Sequence, residues 1–496
     1  MQLGRKSSVG GDAIYLTASR IAVSLISLVT SMLLARFRTL EEYGTYSQII
    51  MVTDLVSTFL LLGLPNSINY FLAKAESDDE RQRFMSAYVT LSSILTALIG
   101  VCLFAAVPLI ITYFNNPAIT VFAYVFFAYP WSSLMLNSLG NTCVIYGKAN
   151  RLIIFNVVHA VTTLSILLLS KVLGASFRQY MVFYMSSLVL FAIFALGWMG
   201  KLVGKIRPFL SSGIVKEIFV FSVPMGLASA VGTLNAELDK LVIGKFFTTE
   251  EYAVFANAAK ELPVTILATS LTAVLLPRMV RLLRDGKARQ AVTMWGYASN
   301  ISFCFMSLIV GGFVVFAPDI MSLFYSEKYV TSGGVAVFRV YAIILLFRAI
   351  YWGIVLNATG KTKFVFYGSL LTLVCNLIGN IIACYTLGFI GPAISSLIVT
   401  LLMAMAQLAF ASKIIEIEMK TIIPWKQISV YIIETCILGC VFALVRYGLL
   451  GHFARSVSII VSIALGGVWT ILYGIINKNN VLGYWKCLNA REKELS

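Results

Sequence analysis

The sequence predicts an all-α polytopic membrane protein: fourteen transmembrane helices in two pseudo-twofold-related six-helix lobes, followed by two further C-terminal helices. Three observations carry this. Of 496 residues, 59% are hydrophobic and only 12% charged, with mean hydropathy +0.88, far from the soluble norm. Apolar runs recur along the whole length at about the 20 residues that a helix rising 1.5 Å per residue needs to cross roughly 30 Å of hydrocarbon. Short polar motifs also recur at an offset of 209 to 213 residues. No soluble domain is expected, because no polar stretch exceeds about 20 residues. Buried helices of a large soluble core would lack polar faces to cover them.

The N-terminal MQLGRKSSVGGDA is short and basic, then runs into about 22 mostly apolar residues. That is too long for a signal peptide's apolar region and has no convincing cleavage site, so an uncleaved first helix is expected. Crossings are predicted at 13–35, 43–72, 84–111, 119–145, 152–173, 179–200, 217–243, 252–276, 291–317, 335–357, 363–386, 389–412, 427–449 and 456–477. An even count puts both termini on one side. With that side cytoplasmic, the inner segments carry 25 Lys and Arg, the richest being RMVRLLRDGKAR from Arg278, and the outer segments 8. Lys171 and Arg446, near outer span ends, and Lys363, at an inner one, are counted with the adjoining segments, and the remaining five, Arg20, Lys240, Lys260, Arg339 and Arg348, fall within spans. This roughly threefold bias predicts that both termini are cytoplasmic. It also explains the net charge of +16 by loops facing anionic lipid, so no nucleic-acid partner is expected. The eight cysteines lie in spans, at their cytoplasmic ends or in the tail, with no C-x-x-C pair. They read as small hydrophobes, with neither a disulfide framework nor a metal site.

The hinge ARFRTLEEYGTYS at Ala35 returns as GKFFTTEEYAVFA at Gly244, 209 residues on. PLIITYF at Pro108 returns as PDIMSLF at Pro318, and YGKANR at Tyr146 as TGKTKF at Thr359. Each pair falls at an equivalent place among the crossings. The expected organisation is an N-terminal lobe at 1–200, a basic cytoplasmic linker at 201–216, a C-terminal lobe at 217–412, and extra helices with a basic tail at 413–496. Six crossings per half give both halves the same orientation, related by an axis along the membrane normal, with a cleft between them near the midplane.

Helix one carries a polar stripe, Thr17, Arg20, Ser24, Ser27 and Ser31, at spacings 3, 4, 3, 4 that place all five on one face. The equivalent stripe of helix seven is Gly226, Ser229, Thr233, Ala236 and Lys240. Small-polar faces also serve close helix packing, but a packing seam has no need of Arg20 or Lys240, so both are read as cleft walls. Ionisable residues in spans are costly and point to function. Arg339, Glu237, Asp239 and Lys240 lie near outer ends and are expected to snorkel, Asp239 and Lys240 pairing with the hinge loop. Arg348 lies about 13 residues into its span, and Arg20, Lys260 and Asp54 seven to eleven. Arg20, Lys260 and Arg348 are therefore the candidate ligand-gripping cations, a guanidinium suiting phosphate through paired hydrogen bonds. The alternative for each is an internal ion pair with Asp54, Glu261 or Glu237. Asp54, Glu237, Asp239 and Glu261 are candidates for coupling to H+ or Na+, or for counter-ions. His159 reads as a hydrogen-bonded packing residue, and helices thirteen and fourteen as apolar apart from Glu434.

No P-loop, H-E-x-x-H or G-x-S-x-G occurs, and no soluble domain for ATP, so neither an enzyme nor a cofactor is expected. Together LLARFRTLEEYGTYS, LDKLVIGKFFTTEEYAVFANAAK, APDIMSLFYSEKY and NATGKTK resemble the polysaccharide-export flippases. These are the Wzx-type translocases of O-antigen, capsule and exopolysaccharide units in the multidrug/oligosaccharidyl-lipid/polysaccharide exporter superfamily. The resemblance covers essentially the whole chain. It implies a V-shaped pair of lobes carrying undecaprenyl-pyrophosphate-linked oligosaccharide to the outer leaflet, with helices thirteen and fourteen shaping a groove for the lipid tail. It also implies membrane lipids, a polysaccharide polymerase and a chain-length regulator as partners. A lipid II flippase would share fold and chemistry. A drug-cation antiporter would want an acidic, aromatic pocket, against Arg20 and Arg348. A glycosyltransferase or ligase would need large outer loops, and these are short.

Overall fold

A computed structural model describes the backbone of residues 9–260, 266–450 and 455–489, and side chains within 23–260, 275–448, 450 and 457–488. Among the described residues every regular element is helical. The chain divides into two compact units, Met1–Glu237 with Gly244–Ala253, and Leu238–Ile243 with Val254–Ser496. The first holds α1 (Val9–Phe37), α2 (Leu40–Leu61), α3 (Leu64–Lys74), α4 (Asp78–Ala105), α5 (Val107–Phe114), α6 (Val125–Ile145), α7 (Ala149–Val172), α8 (Phe177–Val203) and most of α9 (Ser212–Phe246). Helix α10 (Thr249–Ala258) is shared. The second unit continues with α11 (Ile266–Arg284), α12 (Ala288–Val315), α13 (Ala317–Phe324), α14 (Glu327–Thr331), α15 (Gly334–Arg348), α16 (Ile354–Ala358), α17 (Thr362–Leu387), α18 (Gly391–Ile415), α19 (Met419–Ile422), α20 (Trp425–Ala443) and α21 (Arg455–Asn489). By contacts, 201–237 belongs with the first unit, and α20 and α21 with the second.

By length and composition, eight of the described helices can cross a membrane, or nine when α2 and α3, bent by 44° at their junction, count as one span. One of these stretches, Thr362–Ile415, contains both α17 and α18. Among the described residues, continuous apolar stretches account for eight or nine of the fourteen expected crossings. Helix α6 is laced with Pro130, Ser132, Asn137 and Thr142, and α15 stops at Arg348 before α16 resumes at Ile354.

The sequence repeat appears as repeated local structure. Thr39 caps α2 by accepting from the Glu42 amide at 3.1 Å while the Glu42 carboxylate accepts from the Thr39 amide. Thr248 and Glu251 build the same reciprocal box before α10, each box worth about 1 kcal/mol to its helix. The hinges thus start a helix immediately after another has ended. The proline repeat likewise opens two eight-residue helices, α5 and α13, with Pro108 and Pro318 in their first turns, where proline loses no intrahelical bond. The third pair supplies a positive-φ glycine before α7 and α17, Gly147 and Gly360.

The second unit is built on α12, nearly all of whose faces are buried. Helices α20 and α21 pack directly on it. Trp469 donates its indole N–H to the Leu308 carbonyl at 2.9 Å, and Asn477 on α21 bonds Glu434 on α20 at 3.0 Å. A buried ion pair completes the attachment. Arg446, in a turn of π-helix at Leu444–Leu449, grips Asp319 on α13 through two bonds of 3.0 and 2.8 Å, and Ser462 on α21 donates to the same carboxylate. Arg446 had counted as an outer-segment charge and helix thirteen as apolar apart from Glu434. The structure corrects both, because Arg446 is buried beside its counter-charge.

Candidate functional site

In the second unit, Lys260 follows the end of α10 and Arg348 ends α15. Both line one small cavity of about 20 Å³ together with Tyr341 and apolar residues that include Phe313 and Phe338. That volume admits about one water molecule, so this conformation holds the two cations without room for a larger anion. Tyr341 connects the cavity to a buried carboxylate. Its hydroxyl donates to Asp239 on α9, which also accepts from Asn376 at 3.1 Å and Asn380 at 2.8 Å on α17 and from Ser396 at 2.6 Å on α18. Four donors on one carboxylate offset much of the cost of burying its charge. Arg348 feels that charge as an attractive one, whereas Lys260 feels the like charge of Lys240.

Asp239 therefore does not snorkel as expected; it is only 5% exposed, because α17 and α18 supply the partners that water would have given. Arg339 also finds a protein partner, donating to the Val314 carbonyl at 2.9 Å. Lys240 and Glu237 are half-buried on α9.

The first unit holds a separate, larger cavity of about 320 Å³, lined by Asp54, Asn66, Tyr129, Asn137, Ser229 and Thr233 among others. It forms where α2 breaks. Leu62 and Gly63 both take positive φ, turning the chain into α3. Gly226 of α9 sits so close to this break that a Cβ on it would overlap the Leu62 carbonyl. The stripe on α9 is thus divided in use: Gly226 permits close packing, Ser229 and Thr233 line the cavity, and Lys240 belongs to the other unit.

On α1, Ser24 and Ser27 are exposed, while Ser31 bonds the Tyr43 hydroxyl at 3.2 Å. The side chains of Thr17 and Arg20, and the whole of Glu261, lie outside the described residues. Asp54 accepts from the Tyr129 hydroxyl at 3.4 Å. His159 packs its ring 4.7 Å from that of Phe191. Sequence reasoning missed Tyr341, Asn376, Asn380 and Ser396. A signal existed in two asparagines four apart on an apolar helix, which face one side and need partners there. An apolar cavity of about 360 Å³ lies in the second unit, lined by Leu308, Phe316, Ile320, Ile463 and Trp469, with Asp319 and Ser462 also at its wall.

Long apolar helices, with α2 and α3 bent at their junction, mark a polytopic membrane protein. The chain belongs to the polysaccharide biosynthesis protein family, whose model matches residues 9–283, in agreement with the resemblance carried by its hinge motifs. A curated relative, the capsular polysaccharide biosynthesis protein CapF of Staphylococcus aureus, is 22% identical over 394 residues, covering 77% of this chain and 93% of the relative. Among solved structures, the lipid II flippase MurJ in an inward closed conformation superposes with a TM-score of 0.72 at 14% identity, over 94% of this chain and all of that one. An inward-facing multidrug resistance MATE family transporter of the MOP superfamily gives 0.65 at 17% identity, over 79% and 94%. The chain therefore shares the fold of these two structures.

Proposed function

We propose that this protein is a flippase carrying undecaprenyl-pyrophosphate-linked oligosaccharide from the cytoplasmic to the outer leaflet of a bacterial inner membrane, by alternating access, for surface polysaccharide synthesis. One observation carries the reading: Lys260 and Arg348 line a single cavity backed by a fully bonded carboxylate. A pyrophosphate needs cations held in place to meet it. Asp239, which accepts from Tyr341, Asn376, Asn380 and Ser396, puts a negative charge near Arg348 and offsets part of the cost of holding that guanidinium in oil. Arg20 is the third cation of this reading. The apolar cavity against α12 and α21 suits a polyprenyl tail. Family membership and the CapF relative support a glycan-linked substrate.

Asp239 is also the residue we assign to ion coupling, since an H+ or Na+ arriving there would change the charge that Arg348 feels. Lipid II transport is the second reading, favoured by the likeness to MurJ, and demands the same cations. Complementation separates the two. A strain lacking its own surface-glycan flippase should regain surface polymer with this gene, and lose it again with Arg348→Ala or Lys260→Ala at unchanged membrane abundance. Rescue of a strain depleted of its lipid II flippase, with no rescue of surface polymer, would give the second reading instead.

A further inference from the structure

We propose that the cavity of the first unit is a glycan subsite, binding sugar hydroxyls rather than phosphate or lipid. The inference rests on the flippase reading and adds to it where the uncharged part of the cargo is held. The walls decide the chemistry. At about 320 Å³ the cavity falls at the lower end of the roughly 300–1,000 Å³ usual for small-molecule sites. Its polar lining includes a carboxylate, Asp54, the amides of Asn66 and Asn137, and the hydroxyls of Tyr129, Ser229 and Thr233. No lysine or arginine is among its described lining residues, and Asp54 would repel a pyrophosphate. A polyprenyl chain would leave these donors and acceptors unpaired, at a cost of roughly 1–3 kcal/mol for each group buried so. A ring of hydroxyls, each both donor and acceptor, matches a mixed set of carboxylate, amide and hydroxyl partners.

Two independent features show that the cavity is built for a polar occupant. The first is the break between α2 and α3, where Leu62 and Gly63 interrupt the helix with positive φ. Irregular backbone at membrane depth is tolerated where it borders a polar cavity or is buried in protein. Here Leu61, Gly63 and Pro65 of the break are themselves lining residues. The second is Ser57, also in the wall, whose Oγ is buried with no hydrogen-bond partner in the protein. Asn66, Asn137 and Ser229 meanwhile keep their side chains exposed.

The test uses the full-length protein in lipid nanodiscs, titrated with undecaprenyl pyrophosphate and with undecaprenyl-pyrophosphoryl mono- and disaccharides of hexose and N-acetylhexosamine. One or two new hydrogen bonds should make at least one sugar-bearing lipid bind about tenfold tighter than the bare lipid. Asn137→Ala, Thr233→Val and Asp54→Asn should each remove most of that increment while the bare lipid binds within about twofold of wild type. Lys260→Ala should weaken both kinds of probe together. The subsite is overturned if no sugar tightens binding to the wild type, or if the cavity variants lose both probes equally. It is also overturned if Asp54→Asn keeps the sugar increment and alters only the response to Na+ or pH, which would make the cavity a cation site. If no polyprenyl pyrophosphate binds the wild type at all, the flippase reading itself falls.

Discussion

Arg446 and Asp319 form a bidentate ion pair of 3.0 and 2.8 Å with both side chains buried, closed by the Ser462 hydroxyl. It ties the end of α20 to α13 and α21, beside the apolar cavity whose wall includes Asp319 and Ser462. Removing one partner strands a charge, so Arg446→Ala or Asp319→Ala should cost roughly 3–5 kcal/mol, read as a marked fall in the melting temperature of the detergent-purified protein. Replacing both with leucine should cost much less, since the pair's own net contribution is small once desolvation is counted. Equal losses for the single and double variants would contradict a paired role.

The two hinge motifs touch. Gly44 of the first lies against Thr249 of the second, and a Cβ there would overlap the Thr249 carbonyl and its Cγ2. Backbone cannot yield as a flexible side chain can. Gly44→Ala should therefore destabilise by roughly 1–3 kcal/mol. Gly140→Ala, in α6 with nothing within 4 Å of the new methyl, should be neutral or gain about 0.5–1 kcal/mol from helix propensity. Melting temperatures of the two variants side by side check this.

Asp239 accepts from Tyr341, Asn376, Asn380 and Ser396. Asp239→Asn keeps the size and removes the charge that Arg348 feels, so transport should fall by about tenfold or more while the protein stays inserted, one lost charge-assisted bond being worth about 1.5–3 kcal/mol. Tyr341→Phe should have a smaller effect, since three donors remain. Surface polymer measured at matched membrane abundance distinguishes these from folding defects.

Much of this was legible in the sequence, for physical reasons. A bilayer imposes apolar helices of a set length, and the repeated hinges name their own structure, because a Thr followed three residues later by Glu closes a capping box whatever surrounds it. Pro108 and Pro318 likewise announce the short helices they begin. Side-chain partnership was less legible. Asp239 looked like a residue near a water-facing end, because its depth was counted along one helix, whereas its partners come from α15, α17 and α18. Arg446 was set outside for the same reason. Distance along a helix says how far a charge lies from its end, but only the packing of other helices says whether it meets water or a counter-charge. The break at Leu62 was passed over inside a run long enough for one helix, although Gly63 and Pro65 two residues on are the breaker pair that ends α2 and opens α3.

If Lys260 and Arg348 act on the pyrophosphate of a lipid-linked cargo, flipping should depend on both. Reconstituting the protein in liposomes and following leaflet-to-leaflet movement of a fluorescent polyprenyl-pyrophosphoryl saccharide measures this. Wild type should accelerate movement, Arg348→Lys should retain part of that rate, and the Lys260→Ala, Arg348→Ala double variant should fall to the protein-free rate. A double variant that moves the lipid as fast as wild type would contradict the account.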